Sequence, residues 1–311
     1  MTCCFLPEGR LLHTPENIAA CARPEALSQA MAAGTVLEGS ALLCDENHDL
    51  LVSLGPFTGR IPRAETAIGI AEGTTRDIAI LSRVGKPVAF TVEALEEKDG
   101  RLCPLLSRRK AQELALASIL DSWTPGMVVP ATVTHLEGFG AFVDIGCGVA
   151  SMIGVERLSI SRIAHPGDRL RVGQDIYAAV LEVDRHSRRV ILTHRELLGT
   201  WEENAALFKP GMTVPGHVRG IKDYGAFVEL TANLSGLAET KEGVREGDRV
   251  SVYIKSIIPQ RMKLKLLIID VLPPAPGPEE PRYFLPQGKL TRWEYAPPGC
   301  RKAGGETVFG E

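Results

Sequence analysis

The chain has 311 residues, of which 44% are hydrophobic and 23% charged, a composition that excludes a wholly disordered protein. Its 35 basic and 38 acidic residues give a net charge of −3, which argues against a strongly basic nucleic-acid binder. No apolar run approaches the roughly 18 residues that a membrane span needs, so we expect a soluble, cytoplasmic protein without a membrane segment.

The first predicted elements are a helical lead over residues 1–33 and a degenerate five-stranded barrel over residues 34–107. In the lead, Thr14 is a favourable N-cap, Pro15 suits the first helical position and Gly34 is a natural stop. The barrel is predicted because its β-rich segments resemble those of two better-defined units further along the chain.

These two units are copies of one another. "PGMVVPATV" begins at Pro125 and "PGMTVPGHV" at Pro210, an offset of 85 residues. Each copy contains five short, β-rich segments in about 70 residues, which is typical of a small Greek-key barrel of the OB type. We therefore predict three tandem OB-fold barrels, that is, all-β modules joined by helical connectors.

The remaining predicted segments follow in chain order. They are a helical connector at 108–123, a barrel at 124–196, a second helical connector at 197–209, a barrel at 210–270, a proline-rich linker at 271–281 and a β-hairpin-like C-terminal tail at 282–311. The tail is expected to turn near Gln287-Gly288 and to dock as a β extension on the third barrel; a binding site in the tail is the alternative.

A short motif recurs at the same offset in both copies: "FGAFVDIG" in the second barrel and "YGAFVEL" in the third. Alternate side chains of a strand face opposite ways, so Phe142 lies on the same face as an acid, and so does Phe227. A carboxylate seldom points into a small core without a partner, which predicts that both phenylalanines face outwards. A bulge at the motif glycine would bring Phe139 and Tyr224 to the same outer face; burial of one ring in each pair is the alternative.

Basic side chains recur near these rings. Arg185, Arg188 and Arg189 lie in the last turn of the second barrel, Arg261, Lys263 and Lys265 lie in the corresponding part of the third, and Lys222 precedes Tyr224. Exposed aromatic rings suit stacking of unpaired bases, and nearby cations suit backbone phosphates. Residues 209–270 carry 10 basic and 7 acidic side chains, so the third barrel has the more favourable charge.

With these motifs the chain resembles the S1 RNA-binding domain family, over about residues 34–268. The resemblance implies S1-type OB barrels that bind single-stranded RNA, commonly messenger RNA on the small (30S) ribosomal subunit. It implies a second-barrel site of Phe139, Phe142, Asp184 and Arg188. The position of a further family histidine falls on Gly154; His165 in the following loop is a candidate substitute, and an ordinary surface residue is the alternative interpretation of it. It implies Tyr224 and Phe227 in the third barrel, where Glu239 stands at the histidine position.

The first barrel is expected to act differently, because its aromatic positions fall near His48 and Leu51. The resemblance implies a scaffold or protein-docking role, with the small ribosomal subunit as its partner. The alternative function is an accessory protein of RNA turnover or regulation that acts through protein contacts away from the ribosome.

Neither catalysis nor cofactor binding is expected. The seven cysteines are scattered and never spaced as Cys-x-x-Cys, which favours neither a zinc site nor a disulfide framework. No P-loop, nucleophile elbow or metalloprotease motif is present, so we predict no enzyme, no metal and no small-molecule substrate.

Overall fold

A computed structural model describes residues 5–98, 100–300 and 305–310. Cys3 and Cys4, included in the prediction of no zinc site and no disulfide, lie outside the described residues; the other five cysteines are free. The chain divides into two compact units. One contains the lead, the first barrel, the following helix and two short pieces of the second barrel; the other contains the rest.

The lead forms two helices, α1 (Pro15–Cys21) and α2 (Pro24–Ala33), rather than one. The side chain of Thr14 accepts the N–H of Asn17 and caps α1, and Gly34 ends α2 with φ 62°. The break between them follows from the proline that begins α2, because proline has no N–H to continue the hydrogen bonds of α1.

The first barrel is a closed sheet of five strands with the order β1-β2-β3-β5-β4. The strands are β1 (Leu37–Cys44), β2 (Leu50–Ser53), β3 (Thr58–Ile61), β4 (Pro87–Lys98) and β5 (Arg101–Ser107), with the short helix α3 (Ile78–Leu81) between β3 and β4. β1 pairs with both β2 and β4 and so closes the barrel, while β3 and β5 run parallel.

The second and third barrels repeat this topology. The second contains β6 (Val128–Glu137), β7 (Gly140–Asp144), β8 (Ala150–Gly154), β9 (Asp175–Asp184) and β10 (Arg189–Thr193). The third contains β11 (Thr213–Lys222), β12 (Gly225–Thr231), β13 (Leu234–Ala238), β14 (Arg249–Ile258) and β15 (Lys263–Val271). Both sheets close as barrels, which confirms the predicted fold class.

Helices separate the barrels. α4 (Arg108–Ser122) follows the first barrel, and the hydroxyl of Ser107 accepts the N–H of Lys110 at its start. α5 (Trp201–Ala205) follows the second barrel and begins with a capping box, in which Thr200 and Glu203 exchange hydrogen bonds between side chain and backbone.

The C-terminal segment packs against the second barrel as well as the third. It contains two short paired strands, β16 (Arg292–Glu294) and β17 (Glu306–Val308), and its Trp293, Tyr295 and Phe309 are buried in an apolar cluster that consists mostly of third-barrel residues. The turn expected near Gln287-Gly288 precedes both β16 and β17 and does not connect them. The backbone around Gly288 is instead hydrogen-bonded to the start of the second barrel: the N–H of Val128 donates to the carbonyl of Gly288, and the N–H of Leu290 donates to the carbonyl of Gly126.

A buried histidine holds the start of this segment. Nδ1 of His194 lies 3.1 Å from the carbonyl oxygen of Leu158, and its Nε2 lies 3.1 Å from the hydroxyl of Tyr283. Because a carbonyl only accepts, Nδ1 carries the hydrogen and Nε2 accepts from the tyrosine. The Tyr283 oxygen in turn accepts the backbone N–H of Tyr177 at 3.1 Å. Both ring nitrogens of His194 and the hydroxyl of Tyr283 therefore have hydrogen-bond partners.

We predict that His194 makes stability depend on pH. Burial lowers its pKa to about 4; the hydrogen bond to Leu158 and the charge of Glu196 oppose this to a smaller extent, and the charge of Arg169 adds to it. The unfolded chain, with a His pKa near 6.5, then binds more protons, so the free energy of unfolding should fall by up to about 3 kcal/mol as pH drops from 6.5 to 4. His194→Gln cannot take up the proton, so its stability deficit relative to wild type should shrink over that window. Thermal unfolding midpoints of both proteins at each pH test this; a constant difference contradicts it.

Candidate nucleic-acid interface

Two pairs of aromatic rings stand at the same place on the second and third barrels. The ring centroids of Phe139 and Phe142 are 5.9 Å apart at an interplanar angle of 87°, and those of Tyr224 and Phe227 are 6.1 Å apart at 87°. Phe139 is 58% exposed, Tyr224 69% and Phe227 37%, while Phe142 is half-buried. Each barrel therefore presents one edge-to-face pair that reaches solvent.

The first ring of each pair reaches the surface from a turn, not through a bulge at the motif glycine. Tyr224 lies in the turn between β11 and β12, where strand alternation does not apply, and the register shift of this strand pair is on β11 between Val218 and Gly220. The glycines are needed for close approach. A Cβ on Gly140 would lie 2.6 Å from the carbonyl oxygen of Ile153, and one on Gly225 equally close to that of Ala238.

The acid beside each phenylalanine is buried, which corrects the premise used to orient the ring. Val228 faces the core as predicted, yet Glu229 is only 5% exposed and is paired with Arg169 and Arg219. Because the two arginines compensate its charge, the Glu229 carboxylate can be buried even though it lies on the same face of the strand as the exposed ring.

Asp144, the corresponding acid of the second barrel, is 4% exposed. It accepts the N–H groups of Gly146, Gly148 and Glu8 at 2.7–2.9 Å. Burial, followed by the nearby Glu8 charge, raises the pKa of Asp144 to about 7. In both barrels the motif acid therefore anchors backbone or side chains from other segments.

The last turn of the second barrel is shaped by Asp184. Its carboxylate accepts the hydroxyl of Ser187 at 2.5 Å and the N–H groups of His186 and Ser187. The hydrogen bonds from Ser187 lower the pKa of Asp184. Arg188 follows in the left-handed region with φ 55°, and both it and Arg185 are exposed. The carboxylate thus holds a turn that projects two arginines.

The third barrel has a different last turn. Met262, with φ 48° immediately before the final strand, occupies the place of Arg188 and is 8% exposed. Arg261 and Lys263 flank it as exposed cations. The third barrel therefore has no arginine at the equivalent of Arg188.

Strand pairing instead brings Lys265 beside the aromatic pair. Phe227 pairs with Leu237, and Leu237 pairs with Lys265, so the three form one row across the outer face. Lys222 pairs with Gly225 at the other edge of the motif and is exposed. Cations on two strands thus flank the ring pair of the third barrel.

The sequence prediction missed His135 in the second barrel. This exposed side chain lies near the end of β6, with its ring centroid 6.3 Å from that of Phe142 and an interplanar angle of 31°. Its Nε2 is 2.6 Å from a carboxylate oxygen of Glu137. The signal was its outward position in the alternation of β6; the corresponding residue of the third barrel is Gly220.

His165 lies in the long connection between β8 and β9. It is exposed, and its Nδ1 accepts the N–H of Gly167 at 3.0 Å. Neighbouring residues of this connection bond to the third barrel, as Ile160 does to Asn233. This connection, in which the sequence assigned His165 to the second barrel, thus contacts the third barrel as well.

Among its described residues, the first barrel presents no comparable ring pair. His48 and Leu51 stand near the motif positions, and a polar pocket of this barrel is lined by Arg60 and several acids, including Asp45 and Asp49. Over the part of the chain that the structure describes, no group of three His, Cys, Asp or Glu side chains is arranged to hold a metal, and no helix is long and apolar enough to cross a membrane.

Comparison with known proteins agrees with this architecture. Residues 123–195 match the S1 RNA binding domain family. The small ribosomal subunit protein bS1 of Leuconostoc lactis is 31% identical over 233 residues, covering 70% of this chain and 52% of its own length. The bS1 homolog of Bacillus subtilis is 30% identical over 198 residues, covering 58% of this chain and 51% of its own.

A solved multidomain protein with nucleic acid binding domains from Streptococcus pneumoniae covers 76% of this chain at 15% identity and a TM-score of 0.25, too low to indicate a shared function. This chain spans about half the length of the two bS1 relatives it matches. The chain therefore contains an S1 RNA binding domain at residues 123–195, and over a longer stretch it is similar to bacterial bS1 proteins.

Proposed function

We propose that this chain binds single-stranded RNA, messenger RNA included, through the outer faces of its second and third barrels. The observation that carries the proposal is the pair of exposed edge-to-face ring contacts with nearly the same geometry, 5.9 and 6.1 Å at 87°. Unpaired bases stack on such rings with about 1–3 kcal/mol each and little dependence on sequence. Duplex RNA keeps its bases stacked inside and cannot use them.

Phosphate contacts would come from the cations around each pair. In the third barrel these are Lys222, Arg261, Lys263 and Lys265, all exposed. In the second barrel they are Arg185 and Arg188, projected by the turn that Asp184 shapes. The contacts are electrostatic, so they should fix the path of the strand without selecting its sequence.

We expect the purified chain to bind an unstructured RNA at least tenfold more tightly than a duplex of equal length, with affinity falling as salt is raised. Each phosphate neutralised on a single strand contributes about −0.7 to the slope of log affinity against log salt concentration. Fluorescence anisotropy over a range of salt concentrations measures both. Equal affinity for duplex and single strand would contradict stacking as the mode of binding.

We further propose that the chain works in association with the small ribosomal subunit and translation, and that the first barrel makes the docking contact. Support comes from apolar side chains exposed on that barrel: Leu42 and Leu43 on β1 are 52% and 44% exposed, and Ile78 and Leu81 on α3 are 65% and 46% exposed. Exposed apolar groups suit protein contacts. Co-sedimentation with small ribosomal subunits supports this role, whereas co-purification with a nuclease favours an accessory role in RNA turnover.

A further inference from the structure

The connection between β8 and β9, residues 155–174 and here called the bridging loop, is fastened to the third barrel. The N–H of Ile160 donates to the side-chain oxygen of Asn233 at 2.9 Å, and the N–H of Ser161 donates to the carbonyl of Ala232 at 3.0 Å. Both acceptors lie in the turn between β12 and β13. The first half of the bridging loop therefore contacts the turn at the end of β12, the strand that carries Phe227.

A buried ion pair fastens the second half. The guanidinium of Arg169 donates to both carboxylate oxygens of Glu229, at 2.8 and 2.5 Å, with the two residues 8% and 5% exposed. Arg219 donates to the same carboxylate at 3.1 Å and lies 3.4 Å from an oxygen of Asp168. Two parallel bonds of this kind fix geometry as well as distance, so the loop has a defined position.

This position borders the aromatic face. Glu229 comes two residues after Phe227 on the same side of β12, a distance of about 7 Å along the strand. Arg219 lies at the register shift of β11, between the residues paired with Val228 and Phe227. The carboxylate of Asp168, which Arg219 contacts, also accepts the backbone N–H of His165 at 3.3 Å. A short series of contacts thus leads from Glu229, two residues after Phe227, to the bridging loop.

The bridging loop carries two exposed polar groups, His165 and Arg162. Nδ1 of His165 accepts the N–H of Gly167, so a neutral ring carries its hydrogen on Nε2, where it can donate. Arg162 is exposed and has no ion-pair partner among the described residues. We propose that His165 and Arg162 extend the RNA face of the third barrel and contact phosphates of the strand whose bases stack on Tyr224 and Phe227. This inference rests on the proposed function. It makes the RNA site of the third barrel a composite site, to which the second barrel contributes the bridging loop.

The test separates the two barrels by substitution. In a Phe139→Ala/Phe142→Ala background, binding of an unstructured octanucleotide reports on the third barrel; in a Tyr224→Ala/Phe227→Ala background it reports on the second. His165→Asn removes the ring but keeps an acceptor for the N–H of Gly167. We expect it to weaken binding about fivefold in the first background, the size of one hydrogen bond, and to leave the second background unchanged.

Arg162→Gln should follow the same pattern, and His13→Asn, on the exposed lead, should change neither background. Anisotropy at one fixed salt concentration measures the three variants in both backgrounds, with circular dichroism to confirm folding. A loss confined to the second background, or none in the first, overturns the composite site while leaving RNA binding intact. Failure of the wild-type chain to bind the octanucleotide overturns the proposed function, and the composite site with it.

Discussion

The double substitution Phe142→Ala/Phe227→Ala is expected to weaken binding of a long unstructured RNA by at least about 30-fold. Each ring supplies about 1–3 kcal/mol of stacking, so losing two costs no less than about 2 kcal/mol. Both side chains face outwards, and Phe227 is 37% exposed, so the barrels should remain folded. Anisotropy titrations at constant salt measure the affinity, and thermal unfolding checks the fold.

The matched control removes exposed apolar surface where no ring pair exists. Leu42→Ala/Ile78→Ala alters side chains that are 52% and 65% exposed on the first barrel. We expect this variant to bind RNA as wild type does. Unchanged affinity in the phenylalanine double variant, with wild-type folding, would remove stacking as the basis of the proposed function.

The fold could be predicted from sequence because its signals are local and repeated. Alternating strand patterns, turn glycines and a copy at a constant offset all indicate the same small barrel, and agreement between levels makes such a prediction secure. The acid in each motif shows where local signals fail. Its outward position followed from alternation, but its burial depends on partners far away in the chain: Arg169 precedes Glu229 by 60 residues, and Glu8 precedes Asp144 by 136.

The candidate site was predictable in part for the same reason. The offset of 85 holds for the rings but fails at the last turn, where Arg188 corresponds to Met262, because the two barrels differ in length before the final strand. Lys265 could be assigned to the row of Phe227 only through the pairing of both with Leu237. His135 lay outside the motif; strand alternation places it outwards, but only the structure shows its ring 6.3 Å from that of Phe142.

The ion pair beneath the bridging loop provides the largest expected effect on stability. Glu229→Leu leaves the guanidiniums of Arg169 and Arg219 without the carboxylate they share, and Arg169 is nearly buried. Removing one partner of a buried pair typically costs about 3–5 kcal/mol, because the remaining charge is uncompensated. We expect the thermal unfolding midpoint to fall accordingly, as followed by the fluorescence of Trp201 and Trp293, which lie in the third core.

The double variant Arg169→Leu/Glu229→Leu distinguishes two contributions to the free energy of unfolding: the penalty of leaving one charge unpaired, and the net stabilisation by the ion pair itself. Apolar replacements of both partners in a buried ion pair are often neutral or stabilising, so most of the lost stability should return. RNA binding by the third barrel should be weakened in both variants, because leucine cannot reproduce the two directed hydrogen bonds that position the bridging loop. A double variant as unstable as Glu229→Leu alone would mean that Arg169 contributes through contacts other than this ion pair.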